Sequence, residues 1–352
     1  MRIALISNKT PDYQSGGIER FLHEMIEALT ESEIEVESHL CAPGSHGTAP
    51  YPLQGYDGAI FAGSAPMYLS CGDTLHDLAR SLSCPKILAM VFPFGEVEFY
   101  LGRRTAARCA REVARLGSLV QSVVVPSGYA RGDFASWCPN LVPPVVIPHG
   151  GGRSGRQDAR SARHAFRLVS VARAGPLAVH KNMDAVAGAM AAVRRIRPRA
   201  ELLLMGRGTH GAEFSSAGVR HLGAVSEESR IDLVRSARAM VLPSAIESFG
   251  LSVVESLGLG TPVVALNATA VPELVRHERN GLLIDPVRHA RFVDGERIPW
   301  LRPDEASLVD SLLRVLSPDL PWEDMSGAAV LTAREFSWNR TAERYLRLLR
   351  GA

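Results

Sequence analysis

The chain has 352 residues, of which 46% are hydrophobic and 22% charged, enough apolar material for the cores of two globular domains. A formal net charge of +2 argues against an electrostatic nucleic-acid binder, so we expect no nucleic-acid partner. No apolar run approaches the length of a membrane span.

The first 150 residues alternate short apolar runs with longer amphipathic segments. RIALIS (2–7) predicts a strand, and GIERFLHEMIEALTES (17–32) carries apolar residues at helical spacing. Four later runs bounded by Gly, Pro or Ser also predict strands: GAIFAG (58–63), KILAMVF (86–92), SVVVPS (122–127) and PVVIPHGG (144–151). This alternation is typical of a parallel, doubly wound sheet.

The segment RRTAARCAREVARLGSL, starting at residue 103, predicts an amphipathic helix with a basic face over 103–116. One face carries arginines, and the other carries Ala106, Ala110, Val113 and Leu116. We favour a solvated face on a helix that packs against the core. The alternatives are weak peripheral contact with an anionic membrane surface and attraction of an anionic acceptor.

Residues 149–166 are rich in Gly, Ser and Arg and predict a linker. The alternation then restarts, with a helix at NMDAVAGAMAAVRRIRP (182–198) and a helical tail. The predicted strands are FRLVSVAR (166–173), AELLLMG (200–206), AMVLPS (239–244), TPVVALN (261–267) and NGLLIDP (280–286). We therefore predict two α/β domains, 1–150 and 151–335, followed by a C-terminal helix over 336–352. Their parallel sheets would face a central cleft, with ligands beyond the carboxyl ends of the strands.

The stretch PSAIESFGLSVVESLGLGTPVVA (243–265) places Glu247 and Glu255 eight positions apart around a predicted helix start near Phe249 and Gly250. Unpaired N–H groups and the helix dipole at such a start suit a phosphate. Eight helical residues span about 12 Å, the length of a ligand with a central pyrophosphate and hydroxyl groups at both ends. The alternative is a solvated Glu247, with Glu255 paired to an arginine.

This stretch, extended to PELVRHERNGLLIDP, resembles the signature of the family 4 glycosyltransferases, which are retaining enzymes of GT-B fold. SGGIERFLHEMIEAL, VVVPSGYARGDF, LVSVARAGPLAVHKNMDAV and LLLMGRG are similar to further segments of that family. The resemblance extends over nearly the whole chain and is strongest from 168 to 286.

The resemblance implies a role for each matching residue. Glu255 would bind the nucleotide ribose, and Glu247 would face the transferred sugar. Arg173 and Lys181 would neutralise the donor diphosphate as it leaves. The amides of Phe249, Gly250 and Leu251 would assist in binding the diphosphate. Gly16 and Gly17 would let the N-terminal loop approach the diphosphate and the acceptor, and Gly206 and Gly208 would keep a loop low beside the nucleotide.

The resemblance also implies the reaction: a sugar passes from a UDP-, GDP- or dTDP-sugar to a hydroxyl acceptor with retention. The acceptor would be a glycan, a natural product or a lipid-linked precursor. Because no DxD motif is evident, we expect neither a metal nor another cofactor, and fixed cations would stabilise the leaving group. Only three of the 39 Lys and Arg residues are lysines, which gives weight to Lys181, although a plain surface Lys–Asp pair is the alternative.

Many family members carry a histidine after the fourth strand, whereas this chain reads ILAMVFPFGEVEFY there. Glu96 and Glu98 are candidates for acceptor contacts in its place. The acceptor side is therefore less defined by the resemblance than the donor side.

Two other functions stay open. Gly206, Gly208 and Gly211 form a GxGxxG pattern with Glu227 further on, as in NAD-dependent oxidoreductases, but little helical sequence follows it. A catalytically idle sugar-nucleotide-binding protein is the second alternative.

The five cysteines are scattered without a CxxC pair, which predicts buried free thiols rather than a metal site or disulfides. Thiols of this kind are typical of a reducing compartment. We therefore expect a cytoplasmic protein, with any membrane contact at the inner face of the membrane.

Overall fold

The computed structural model describes residues 1–11, 16–41, 53–151, 163–172, 176–206 and 216–351. They form two compact units. The first comprises Met1–Gly150, Phe292–Ile298 and Ser337–Ala352, and the second Gly151–Arg291 and Pro299–Phe336.

The first unit is built around a six-stranded sheet in the order β2-β1-β3-β4-β5-β6. Every neighbouring pair in this sheet is parallel, as the alternation of strands and helices requires. Its elements are β1 (Arg2–Ser7), α1 (Gly17–Glu31), β2 (Glu35–Leu40), β3 (Gly58–Ala62), α2 (Ala65–Ser81), β4 (Lys86–Ala89), α3 (Phe94–Gly117), β5 (Ser122–Val125), α4 (Gly128–Trp137) and β6 (Val145–Val146).

The second unit repeats this plan with a parallel six-stranded sheet in the order β12-β11-β10-β7-β8-β9. The strands of this sheet are β7 (Arg167–Val171), β8 (Glu201–Met205), β9 (Val219–Gly223), β10 (Ala239–Leu242), β11 (Val263–Leu266) and β12 (Gly281–Ile284). A separate two-stranded sheet follows in the chain, formed by β13 (Pro286–Val293) and β14 (Glu296–Pro303). The helices are α5 (Met183–Ile196), α6 (Glu227–Ser236), α7 (Leu251–Gly258), α8 (Glu305–Val315) and α9 (Trp322–Ala333). The last helix, α10 (Trp338–Arg350), belongs to the first unit and packs on α1.

Each apolar run named in the sequence analysis forms a strand of one of the two sheets. Three features were not predicted. Strands β2 and β9 are edge strands and are largely unburied, so neither carries an apolar run. Strands β13 and β14 are joined by Asp294 and Gly295, both at positive φ, as in a two-residue hairpin turn. The predicted linker falls largely on residues 152–162, outside the described residues.

The basic segment lies in α3, and its predicted division into two faces is confirmed. Ala106, Ala110, Val113 and Leu116 are at most 4% exposed, whereas the arginines are exposed. The helix is broken at Gly102 (φ 77), and the Glu296 carboxylate accepts a hydrogen bond of 2.9 Å from the Arg103 amide at the new helix start. Arg115 pairs with Asp73 at 3.1 Å.

All five cysteines are free and buried, as predicted. Among the described residues, no helix combines the length and the apolar character needed to cross a bilayer.

His149 is a buried titratable group in the core of the first unit. Its ring is 4% exposed, stacks on Trp338 with centroids 5.7 Å apart and lies 4.9 Å from the Phe21 ring. Burial lowers the pKa of this imidazole from 6.5 to about 3. Between those values the unfolded chain binds one proton more than the folded chain, so acid reduces the stability of the folded state.

We expect His149→Phe to remove this pH dependence. The unfolding free energy of the variant minus that of wild type should increase by about 2 kcal/mol from about pH 6.5 to about pH 4.5. Buried Asp133, whose pKa is raised to about 6 by burial, opposes the trend of His149, but both proteins contain it. Urea unfolding at the two pH values measures the difference; parallel pH profiles would show that His149 does not titrate on unfolding.

Candidate active site

The loop between β10 and α7 carries the centre of the predicted motif. Gly250 (φ 102) is the N-cap of α7, so the helix begins at Leu251, directly after the start predicted near Phe249 and Gly250. The positive φ at position 250 favours glycine, and a Cβ there would also lie a tight 3.3 Å from the Leu274 and Val253 side chains. The first amides of α7 have no partners within the helix and lie at the positive end of its dipole.

The estimate of a helical span from Glu247 to Glu255 is wrong, because Glu247 precedes the helix and only the second half of that interval is helical. The Glu247 amide instead donates a 3.0 Å hydrogen bond to Thr269 Oγ1. The first glutamate is thus placed by the turn that leads into α7.

Lys181 ends a 3₁₀ segment, Pro176–Lys181, that contacts this loop. Its Nζ lies 2.6 Å from Glu247 Oε1, and the two side chains are only 20% and 13% exposed. The alternatives of a surface Lys–Asp pair and a solvated Glu247 are therefore both wrong. The neighbouring backbone joins the same loop, because the His180 carbonyl accepts a 2.7 Å hydrogen bond from the Ala245 amide. An ammonium has three N–H donors, so one can bind Glu247 while others bind a ligand.

Glu255 lies on α7 and is 5% exposed. Its Oε2 accepts a 2.9 Å hydrogen bond from Nη1 of Arg230, a buried residue of α6. Arg230 also donates to Glu227 at 2.7 Å. The alternative in which Glu255 pairs with an arginine is therefore confirmed, and this pairing lets the carboxylate stay buried and oriented. Sequence reasoning missed Arg230, because nothing in its spacing separates it from the other arginines.

The remaining residues of the predicted donor site have mixed roles. Phe249 is 3% exposed and its ring packs edge-on against Phe336. The side chain is therefore part of the core, and only the backbone of Phe249 lies at the helix start. Gly206 (φ 138) follows β8, and its amide donates to the Gly223 carbonyl at 2.7 Å. The structure thus brings Lys181, Glu247 and the start of α7 together.

The other predicted residues fall into two groups. Arg173, Gly208 and Gly211 are outside the described residues. Gly16 and Gly17 stand at the N-terminus of α1 in the first unit, where a Cβ on Gly17 would meet no atom within 4 Å. Glu96 and Glu98 lie on α3 of the same unit.

The dinucleotide alternative requires a helix directly after the glycine pattern. The described residues between β8 and β9, namely 206 and 216–218, contain none. Within the described ranges, no three His, Cys, Asp or Glu side chains are placed to hold a metal ion together.

Residues 165–295 match the family described as "Glycosyl transferases group 1". The chain is 32% identical over 145 residues to the D-inositol 3-phosphate glycosyltransferase of Nocardioides sp., covering 41% of this chain and 28% of that protein. It is 28% identical over 174 residues to the phosphatidyl-myo-inositol mannosyltransferase of Mycobacterium leprae, covering 48% and 42%. The aligned part thus spans less than half the length of these curated relatives.

Two solved structures extend over almost the whole chain. Sucrose-phosphate synthase from Thermosynechococcus elongatus has a TM-score of 0.72 at 18% identity, covering 99% of this chain and 98% of that one. HepE from Anabaena, solved with UDP-glucose, has a TM-score of 0.69 at 17% identity, covering 98% and 99%. At these identities the likeness shows the fold alone. Residues 165–295 therefore match the group 1 glycosyltransferases, within a chain that has the GT-B fold expected from its resemblance to family 4.

Proposed function

We propose that this chain is a retaining, metal-independent glycosyltransferase that moves a sugar from a nucleoside diphosphate sugar to a hydroxyl acceptor. The observation that carries the proposal is the Lys181 ammonium, held 2.6 Å from Glu247 in the loop that leads into α7. A cation held against the loop that ends in a helix N-terminus forms a suitable place for a diphosphate.

The chemistry follows from the charges. When the bond between the anomeric carbon and the diphosphate oxygen breaks, negative charge develops on the diphosphate. Lys181, Arg173 and the amides of residues 249–251 would stabilise that charge without reorganising. Glu247 would accept hydrogen bonds from the sugar hydroxyls, and Glu255, oriented by Arg230, from the ribose hydroxyls.

Retention follows if the acceptor hydroxyl attacks from the face that the diphosphate leaves. The acceptor oxygen bonds to the anomeric carbon, and its proton passes to an oxygen of the departing diphosphate. No separate base is then needed, and the fixed charges stabilise the leaving diphosphate as a metal ion does in other transferases.

The names of the relatives suggest which ligands to try first. One related structure contains UDP-glucose, and two curated relatives are named for inositol-containing acceptors. We infer a UDP-, GDP- or dTDP-sugar donor and a hydroxylated acceptor, either free, part of a glycan or lipid-linked.

We place the reaction in the cytoplasm, where five buried free thiols remain reduced. Any contact of the α3 arginines with the inner membrane surface would be weak, since Arg115 is already paired. Co-sedimentation with anionic vesicles would measure it.

A thermal-shift panel with UDP, GDP, dTDP, ADP and NAD tests the function. We expect a nucleoside diphosphate, but not NAD, to raise the melting temperature by roughly 2–4 °C at a hundredfold excess over Kd. The matching donor sugar should then be transferred or slowly hydrolysed. Stabilisation by NAD alone would favour the oxidoreductase, and binding with neither transfer nor hydrolysis would favour the idle binder.

A further inference from the structure

Asn182, the residue after Lys181, is fully buried and adopts a left-handed conformation (φ 52, ψ 34). Asparagine tolerates this conformation better than most residues. It is the N-cap of α5, yet its side chain makes no capping hydrogen bond to that helix. The carboxamide must therefore serve another purpose.

That carboxamide binds two other segments of the second unit. Its Nδ2 donates to the Pro243 carbonyl at 2.8 Å and to the Leu301 carbonyl at 3.0 Å. Its Oδ1 accepts a 2.9 Å hydrogen bond from Trp300 Nε1. Because an indole N–H can only donate, the amide atom that faces Trp300 must be the oxygen. A buried amide satisfied at both ends is held in one orientation.

The indole itself is held against the start of α5. The Arg302 guanidinium lies over the Trp300 ring, 4.5 Å from its centre, and pairs with Asp184 at 2.5 Å. Strand β14 thus contacts Asn182 and Asp184, the residues on either side of Met183. Through Asn182 it also reaches Pro243, four residues before Glu247.

We propose that Trp300 is a positioning residue for Lys181, acting through the carboxamide of Asn182. The hydrogen bonds from Trp300 to Asn182 and from Asn182 to Pro243 fix the turn that aims the Lys181 ammonium at Glu247. The inference deepens the proposed function, because the group being aimed is the cation assigned to the donor diphosphate.

The scarcity of lysine supplies a direct test. Lys9, Lys86 and Lys181 are the only lysines, so ¹³Cε-lysine labelling gives three side-chain NMR signals, with Lys181 assigned by Lys181→Arg. We expect Trp300→Phe, which removes only the indole donor, to shift or broaden the Lys181 signal. The Lys9 and Lys86 signals, from the first unit, should stay in place. An unchanged Lys181 signal in the folded variant would overturn the proposal.

Trp322→Phe is the matched control. The Trp322 indole is a donor as well, but its acceptor is the backbone carbonyl of Arg238, at 2.7 Å. Arg238 precedes β10 whereas Pro243 follows it, so the two indoles act at opposite ends of the same strand. We expect Trp322→Phe to leave the Lys181 signal unchanged; an equal shift would mean general loosening and would overturn the proposal.

If Trp300→Phe does not fold, Asn182→Gly replaces it. Glycine keeps the left-handed turn and loses the carboxamide, so the same displacement of the Lys181 signal is expected. An undisturbed signal would again overturn the proposal.

Kinetics separates this proposal from the proposed function. With whichever of UDP-glucose and GDP-mannose the wild type hydrolyses, Trp300→Phe should lower kcat roughly 10- to 100-fold and leave KM nearly unchanged. In the Lys181→Met background it should have no further effect, whereas multiplying effects would show that Trp300 acts independently. If the wild type binds none of the nucleoside diphosphates and hydrolyses no UDP-, GDP- or dTDP-sugar, the proposed function fails, while the NMR result still decides the positioning role.

Discussion

Lys181→Met should lower the turnover of a nucleoside diphosphate sugar by roughly 10²- to 10³-fold, the usual effect of removing one fixed donor from a developing anion. Methionine keeps much of the apolar stem and removes the ammonium. Donor KM should change less than kcat, because the charge on the bridging oxygen develops mainly as the bond breaks. Steady-state kinetics with the donor identified by the nucleotide panel measures both constants.

Lys86→Met is the matched control. The Lys86 ammonium is also fixed, by the Leu82 carbonyl at 2.8 Å and the Cys84 carbonyl at 3.0 Å, but Lys86 is the first residue of β4 in the first unit. We expect near-normal turnover in this variant. Lys181→Met leaves the Glu247 carboxylate, 13% exposed, without its cation, so some thermal destabilisation accompanies the kinetic defect. Wild-type rates in Lys181→Met would remove Lys181 from the leaving-group site.

The placement of the loop before α7 could be predicted because it depends on local sequence. A buried strand ends at Leu242, Gly250 supplies the left-handed turn, and the helix follows at once. The position of Lys181 near this loop could also be predicted, because β7 and β10 are adjacent parallel strands whose carboxyl ends lie at one edge of the sheet.

The pairing of the charged side chains could not be predicted. Glu247 and Glu255 were expected to face a ligand, yet in the structure they contact Lys181 and Arg230, residues 66 and 25 positions away. Such pairs depend on how deeply each side chain is buried and on which rotamer the packing allows. In a chain so rich in arginine, composition and spacing select no particular partner.

The hairpin that carries Trp300 was missed for a different reason. Charged and polar residues interrupt the apolar residues of both strands, so a search for continuous apolar runs passes over them. The Asp294–Gly295 pair, a strong signal for a two-residue hairpin turn, was present and would have revealed it. The contacts from Trp300 and Leu301 to Asn182 link residues about 120 positions apart, which only tertiary structure reveals.

Replacing Glu255 tests the ribose site. We expect Glu255→Ala to raise the calorimetric Kd for the preferred nucleoside diphosphate about 5- to 150-fold, equivalent to about 1–3 kcal/mol of lost hydrogen bonding. The same change leaves Arg230, which is 9% exposed, with Glu227 as its remaining described carboxylate partner, so stability should fall as well. Affinity measured on Glu255→Ala alone would therefore mix two effects.

Glu255→Gln separates those effects. The glutamine carbonyl can still accept from Arg230 Nη1, so stability should largely recover. Its NH₂ group would stand where the second carboxylate oxygen was and could not accept from a ribose hydroxyl, so affinity should remain weak. Full recovery of affinity in Glu255→Gln would mean that Glu255 only supports Arg230.

Glu227→Gln completes the comparison. It alters the other carboxylate that binds Arg230 and leaves Glu255 in place, so nucleotide affinity should change little. Glu227 is also the acidic residue that the dinucleotide alternative would assign to the ribose. If Glu227→Gln weakened binding while Glu255→Gln did not, the ribose would lie beside α6 rather than α7, and the donor site proposed here would be misplaced.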